Sequence, residues 1–223
     1  MPRYDGGVEP PAGPDLARTW ALVPIRGLET AKTRLGEGLD AEERRDLVID
    51  LLQRTLVATR DARRVTGTVV VTMDPAAAGI ARDHRAVGLV ERAPGLNGAI
   101  SAARSVAVAR AATAVLVLPA DLPAISAGAI DALIAAADQA RSPGAIGIVA
   151  LVTDQHGQGT NALLSRPPGR IDPQFGPASR DLHRAAAAGA GATFVELDGP
   201  LGLDVDTTED LEVAEAAMGV LRG

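Results

Sequence analysis

The sequence predicts an α/β fold, a parallel sheet covered by helices, because short apolar runs alternate with Ala-rich segments of helical length. The run at 114–118 is apolar throughout and ends at Pro119, which is typical of a strand buried on both faces. Ligands of such sheets bind beyond the carboxyl ends of the strands, so Asp121 lies where chemistry is expected. Asp121 could instead cap the helix that follows Ser126 or hold a turn.

The same patterns predict the other elements in chain order. Strands are predicted over 20–25, 68–73, 87–90, 114–118 and 145–152, in a short stretch after Asn161, and over 192–197. Helices are predicted over 40–58, 76–83, from a turn at 94–98 to 111, over 126–140, from Pro177 as the first helical position, and over 208–218. Asp40 and Glu43 form a predicted capping box for the first helix.

Length and composition limit the kind of protein. A chain of 223 residues suits one α/β domain, which we expect over 19–223, while the Pro- and Gly-rich residues 1–18 predict a disordered leader. The formal net charge of −6 argues against nucleic acid or an anionic membrane as the main partner. Without cysteine, disulfides and thiolate metal sites are excluded. No apolar run approaches the roughly 20 residues of a membrane span, so we expect a cytoplasmic protein.

Two further acidic residues suggest a metal site. Asp204 and Asp206 are separated by Val205, and in an extended segment they would point the same way while Val205 is buried behind them. Carboxylates held that close repel each other unless a cation lies between them. Mg²⁺ takes one or two such carboxylates together with substrate phosphates and water. Asp121, Asp204 and Asp206 are therefore three candidate ligands for one metal cluster.

A basic loop follows the first predicted strand. Residues 26–35 carry Arg26, Lys32 and Arg34 at the strand-to-helix turn, where a doubly wound fold binds phosphate. Of the 22 basic residues 21 are arginine, which indicates that Lys32 occupies a position that a guanidinium does not suit. Chance survival of a single lysine is the alternative. The spacing of a Walker loop is absent. A basic surface loop without a ligand is the alternative.

Two helix starts offer further polar groups. Asn97 lies at the start of the Ala-rich helix, where it could cap the helix or read a nucleobase edge. Gly176 and Ser179 flank Pro177, and such a helix start is expected to expose free backbone N–H groups and a hydroxyl to an anion. Ordinary capping is the alternative at both places.

Six segments together resemble the guanylyltransferases of coenzyme F-420 biosynthesis. They occur in family order at 21–35, 96–97, 119–123, 159–160, 175–179 and 204–207, over nearly the whole chain beyond Arg18. The resemblance implies a single-domain nucleotidyltransferase fold of the GT-A kind, with a mixed, mostly parallel sheet of about seven strands. It also implies a reaction that joins GTP to a small phosphorylated three-carbon acid with loss of pyrophosphate.

The resemblance further implies roles for individual residues. Mg²⁺ would be held by Asp121, Asp204 and Asp206. The acceptor acid would be bound by Thr160, Gly176 and Ser179. The nucleotide would be bound by Lys32, Arg34 and Asn97, of which Lys32 is also catalytic together with the three aspartates. Arg26 departs from the lysine frequent in similar chains, so we rank it below Lys32.

The resemblance also implies partners. The Arg bias and the abundance of alanine are similar to actinobacterial chains, whose relatives are associated with phosphoenolpyruvate. We therefore expect phosphoenolpyruvate as acceptor, with 2-phospho-L-lactate or 3-phosphoglycerate as alternatives, and a hand-over of product to the downstream deazaflavin transferase.

Three other functions stay open. A molybdenum-cofactor guanylyltransferase or a cytidylyltransferase would be expected to show a Gly-rich first loop, which this chain lacks. A glycosyltransferase would normally carry its DxD motif after the middle strand, whereas here it lies near the C-terminus. A non-catalytic nucleotide-binding module is the alternative of another class.

Overall fold

The computed structural model describes residues 17–29, 31, 38–92, 95–142, 144–205, 207 and 209–213 of the chain. Seven strands lie within them: β1 Thr19–Pro24, β2 Val65–Thr72, β3 Val87–Val90, β4 Ala114–Val117, β5 Ile148–Val152, β6 Ala162–Arg166 and β7 Thr193–Glu196. Five α-helices connect them: α1 Ala41–Asp61, α2 Pro75–Asp83, α3 Gly95–Val108, α4 Ala127–Ala140 and α5 Ser179–Gly189. A 3₁₀ turn covers Pro200–Gly202, and residues 209–213 are helical.

The strands form one sheet in the order β3-β2-β1-β4-β6-β5-β7. Every neighbouring pair is parallel except the two that include β6, which runs antiparallel to both β4 and β5. The predicted mixed, mostly parallel sheet of seven strands is therefore confirmed. Because β6 runs the other way, the residues that precede it lie at the same edge of the sheet as the carboxyl ends of its neighbours.

Helices cover both faces of the sheet. Leu22 of β1 packs with α3 and α5 residues on one face, while Ala21 and Val23 pack with α1, α2 and α4 on the other. All four residues of β4 are buried, as its unbroken apolar run predicts. Within the described residues, no helix combines the length and apolar character that crossing a membrane requires.

The predicted capping box at the start of α1 is confirmed. The Asp40 carboxylate accepts from the N–H groups of Glu42 and Glu43 at 2.9 Å, and the Glu43 carboxylate accepts from the N–H of Asp40 at 3.0 Å. The prediction for α5 is wrong in its start, because Pro177 precedes the helix and Ala178 takes the N-cap position with a left-handed backbone at φ 57°. The predicted leader, except for residues 17 and 18, lies outside the described residues.

Candidate active site

The carboxyl ends of β1 and β4 lie side by side and place two predicted functional segments at one edge. Leu22 pairs with Val117, and the N–H of Leu118 donates to the Leu22 carbonyl at 2.9 Å, so both strands end at the same level. The basic loop leaves the end of β1, and Asp121 is the fourth residue after the end of β4. Arg26 is exposed, whereas Lys32 and Arg34 lie outside the described residues.

Asp74 anchors the first part of the basic loop, a role that the sequence reasoning missed. Its carboxylate accepts from the N–H of Leu28 at 3.0 Å and from the N–H of Ala76 at 2.8 Å, so it joins the loop to the start of α2. The hydrogen bond from Leu28 is the main cause that lowers the pKa of Asp74; partial burial opposes it, and the Ala76 N–H adds to the lowering. Asp74 thus fixes where the loop leaves the sheet.

The two acidic segments meet through the backbone. The N–H of Val205 donates to the carbonyl of Asp121 at 3.1 Å, and Val205 is fully buried, as predicted. Asp121 and Asp204 are both half-buried, and the third predicted ligand, Asp206, lies outside the described residues. The residues described here contain no group of three acidic or histidine side chains that could hold a metal ion. The three-aspartate cluster therefore stays a prediction.

Asn161 holds the Asp204 segment against the sheet and was missed in the sequence. Its side-chain amide donates to the Asp204 carboxylate and to the Gly202 carbonyl, both at 3.1 Å. Its backbone N–H donates to the Val152 carbonyl at 2.9 Å, which fixes the entry into β6. Asn161 is buried, so it links the carboxylate to the packed part of the sheet.

Thr160 and Ser179, both predicted to bind the acceptor, are in direct contact. The Ser179 hydroxyl donates to Thr160 Oγ1 at 3.0 Å, and His183 Nδ1 lies 3.1 Å from the same oxygen. Ser179 is 1% exposed, Thr160 7% and His183 0%. His183 was missed as a site residue, although it lies four residues after Ser179 on a predicted helix and hence on the same face.

The environment of His183 fixes its charge and its tautomer. The backbone N–H of Gln174 donates to Nε2 at 3.0 Å, so Nε2 is the unprotonated nitrogen. Burial lowers the pKa of His183 to about 4, and the ring is neutral at pH 7. The Phe175 ring packs edge-on at 5.1 Å between centroids. A neutral ring whose Nε2 accepts must carry its proton on Nδ1, facing Thr160.

The segment before α5 is fixed by Asn97. The Asn97 carboxamide accepts from the N–H of Phe175 at 2.8 Å and donates to its carbonyl at 3.1 Å. This pairing joins the first turn of α3 to the segment that leads into Gly176. Asn97 thereby positions Phe175 and the start of the segment predicted to bind the acceptor, and its contact with a nucleotide stays a prediction.

The start of α5 differs from the expected anion site. The N–H groups of residues 179–182 donate to the carbonyls of Gly176, Gln158 and Ala178, so the expectation of free N–H groups is wrong for these residues. Gly176 is exposed with φ 132°, a backbone conformation that favours glycine, and a Cβ there would meet nothing within 4 Å. The Thr160 and Ser179 hydroxyls are the polar side-chain groups predicted to bind the acceptor here.

A shallow cleft of about 220 Å³ lies at the carboxyl ends of β5 and β7. Its lining includes Asp154, Asp198 and Leu203, and no lysine or arginine is among the residues that line it. Such a cleft does not suit a phosphate. It does border the Asp204 segment through Leu203.

The fold is similar to that of nucleotidyltransferases and of a nucleotide-sugar transferase. A nucleotidyl transferase from Methanothermobacter thermautotroptrophicus superposes with a TM-score of 0.58 at 18% identity, over 91% of this chain and 98% of that one. A candidate nucleotide-diphospho-sugar transferase from Desulfovibrio desulfuricans G20 gives 0.71 at 15% identity, over 90% of this chain and 87% of that one. At these identities the likeness concerns the fold.

The chain belongs to the family described as guanylyl transferase CofC like, whose model matches residues 19–216. A phosphoenolpyruvate guanylyltransferase of Sphaerobacter thermophilus is 40% identical over 195 residues, covering 87% of this chain and 91% of the relative. The resemblance drawn from the six sequence segments is therefore confirmed.

Proposed function

We propose that this protein transfers GMP from GTP to phosphoenolpyruvate, releasing pyrophosphate, as a step of coenzyme F-420 biosynthesis. The observation that carries the proposal is the pair Thr160–Asn161. Thr160 contacts the Ser179 hydroxyl, and the adjacent Asn161 donates to the Asp204 carboxylate. Consecutive Cα atoms are about 3.8 Å apart. One segment thus ties the candidate acceptor site to the candidate metal site.

The residues present fit Mg²⁺. Asp121 and Asp204 offer carboxylate oxygens, the donors that this ion prefers, and the hydrogen bond between Val205 and Asp121 brings their segments together. We propose that Asp121, Asp204 and Asp206 hold the ion. When bound, it supplies positive charge that offsets the charge of the phosphates in the transition state.

The chain's own residues orient the substrates. Lys32 and Arg34 would bind the GTP phosphates in the loop that Asp74 anchors, and Asn97 would lie near the nucleoside. Thr160, Gly176 and Ser179 would hold the three-carbon acid. Its phosphate oxygen is already ionised and attacks the α-phosphorus of GTP, so no protein nucleophile or general base is required. Catalysis then rests on alignment and charge neutralisation.

The substrates and the compartment belong to the same proposal. The guanylyl transferase family and the phosphoenolpyruvate guanylyltransferase relative support GTP and phosphoenolpyruvate as the reactants. Both are metabolites of the cytoplasm, where we place the reaction. The hand-over of the product to the deazaflavin transferase that follows is part of the same proposal.

The test offers GTP, Mg²⁺ and each of three acids separately: phosphoenolpyruvate, 2-phospho-L-lactate and 3-phosphoglycerate. The downstream transferase and its deazaflavin acceptor are present to trap the product. We expect pyrophosphate release and adduct formation with phosphoenolpyruvate. Adduct formation with phospholactate alone would overturn the choice of acid, and GTP binding without turnover of any acid would favour a nucleotide-binding module.

A further inference from the structure

Thr160, Ser179 and His183 form a chain of three polar side chains in a nearly dry environment. Thr160 Oγ1 lies at the centre, 3.0 Å from the Ser179 hydroxyl and 3.1 Å from His183 Nδ1. All three residues are buried, so bulk water does not exchange freely with these contacts. The direction of each hydrogen bond therefore follows from the protons that the three groups possess.

The His183 ring supplies one proton to this chain. The Gln174 backbone N–H can only donate, and it occupies Nε2. The ring therefore donates from Nδ1 to Thr160 Oγ1. The Ser179 hydroxyl donates to the same oxygen, so Thr160 accepts two hydrogen bonds and its own hydroxyl proton points to a partner outside the three side chains.

The other tautomer would have the opposite effect. With the proton on Nε2, Thr160 would donate to Nδ1 and Ser179 would donate to Thr160. Both hydroxyl protons would then be used inside the chain, and the pair would present only lone pairs to a ligand. The tautomer thus decides whether this site attracts an anion or repels it.

We propose that His183 is a positioning residue that makes the Thr160–Ser179 pair a hydrogen-bond donor to the anionic groups of the acceptor acid. This inference rests on the proposed function. The backbone N–H groups of residues 179–182 already donate to carbonyls and are not available to an anion, whereas the Thr160 hydroxyl proton is not used within the three side chains. The preference for an anion is therefore set by His183, which would not itself contact the acceptor acid.

Two substitutions at position 183 separate positioning from packing. In His183→Asn, the amide nitrogen can take the place of Nδ1 and donate to Thr160. In His183→Gln, the longer side chain reaches the place of Nε2, so it can still accept from Gln174 but leaves Thr160 without its donor. We expect the KM for the acid to rise about tenfold in His183→Gln and at most about threefold in His183→Asn, the scale of one hydrogen bond. The KM for GTP and kcat at saturating acid should stay within about twofold in both variants.

A second background tests whether His183 acts through Thr160. Thr160→Val removes the hydroxyl, so adding His183→Gln should raise the KM for the acid no further. Additive effects in the double variant would overturn the inference, since they would mean that the ring acts by packing alone. A larger loss in His183→Asn than in His183→Gln would overturn it as well.

The tautomer can be measured in the protein alone, independently of activity. Nitrogen-15 imidazole spectra at pH 7.5 should show His183 protonated at Nδ1, and protonation at Nε2 would overturn the inference even if the enzyme is active. Conversely, a wild-type protein that releases no pyrophosphate with any acid would refute the proposed function. The spectra would still show which nitrogen of His183 is protonated. Failure of the tautomer inference can thus be distinguished from failure of the proposed function. The spectra use the wild-type protein, so the distinction does not depend on the folding of a variant.

Discussion

At the scale of single residues, His183 shows how a buried side chain can connect stability and site. Its ring has no exposed surface, and burial lowers its pKa to about 4 from the usual 6.5. Between these pH values the unfolded chain binds a proton that the folded chain does not. The free energy of unfolding therefore falls as the pH drops through this window.

We expect this titration to cost about 3 kcal/mol of stability once the pH has fallen to 4, at ~1.4 kcal/mol per pKa unit. The measurement is urea unfolding of the wild type and of His183→Asn between pH 4.5 and 7.5. Carboxylates titrate in both proteins, so their difference isolates the ring. The stability difference should shrink as the pH falls, and a constant difference would contradict the assigned burial and charge.

Lys32 gives a second residue-scale prediction. A guanidinium is planar and bulky, whereas an ammonium is a compact charge, so Lys32→Arg should not be silent at the proposed contact with the GTP phosphates. We expect turnover with GTP to fall on the order of 10²-fold, as for the loss of one preorganised donor. Arg63→Lys, at an exposed arginine after α1, is the matched control and should keep wild-type turnover. Wild-type turnover in Lys32→Arg would remove that residue from the mechanism.

At the scale of elements, the strands were predictable and the contacts between distant elements were not. The unbroken apolar runs and the capping box at Asp40 specify their own local structure, so their predictions are confirmed within a few residues. The start of α5 was misplaced because the first helical residue is Ser179 and not Pro177, and Ala178 takes the N-cap position with a left-handed backbone. Local propensity gives no signal for that conformation at an alanine.

In the candidate site, too, the position of a residue on its strand was predictable and its contacts with distant residues were not. Asp121 could be placed at the carboxyl edge of the sheet because it follows a buried strand, whereas the Asp204 segment was joined to it only by the chemistry of its two carboxylates. The contacts of Asn97 with Phe175 and of Asn161 with Asp204 span 78 and 43 residues of sequence. Hydrogen bonds over such separations depend on the complete fold and leave no periodic pattern in the sequence.

The segment that leads into α5 gives a prediction at Gly176. An alanine at φ 132° is strained, so Gly176→Ala should lower the free energy of unfolding by about 1–3 kcal/mol and raise the KM for the acid. The matched control is Gly128→Ala in α4, where an added Cβ meets nothing within 4 Å and the backbone is helical. That change should stabilise the protein by about 0.5–1 kcal/mol. Both are measured by urea unfolding, and equal effects would refute the conformational argument.

At the scale of the whole molecule, the acidic site joins the C-terminal part of the chain to the centre of the sheet. Two hydrogen bonds make this connection. Val205 donates to the Asp121 carbonyl, and Asn161 donates to the Asp204 carboxylate. The site is therefore assembled only when the fold is complete. If Asp121, Asp204 and Asp206 converge on one ion as proposed, their carboxylates would repel one another in its absence and would serve binding at some cost to stability.

Asp204→Asn tests this relation, because an amide oxygen can still accept from Asn161 while the charge is lost. We expect unchanged or slightly higher stability without metal, and loss of pyrophosphate release. Wild-type protein should gain about 3 kcal/mol from Mg²⁺ at a hundredfold excess over its dissociation constant, a gain that the variant lacks. Asp206→Asn should behave alike, and the exposed Asp83→Asn on α2 is the control. The measurement is thermal unfolding of each protein with a chelator and with Mg²⁺. A destabilised metal-free variant would indicate a structural role for the carboxylate.

The reversed strand β6 also has a consequence for synthesis of the chain. Until residues 162–166 leave the ribosome, β4 has β1 as a neighbour on one side and none on the other. A wholly apolar strand with an unpaired edge is a template for aggregation. Premature termination between β4 and β6 should therefore yield fragments that are insoluble or held by chaperones, whereas termination after β6 closes that edge.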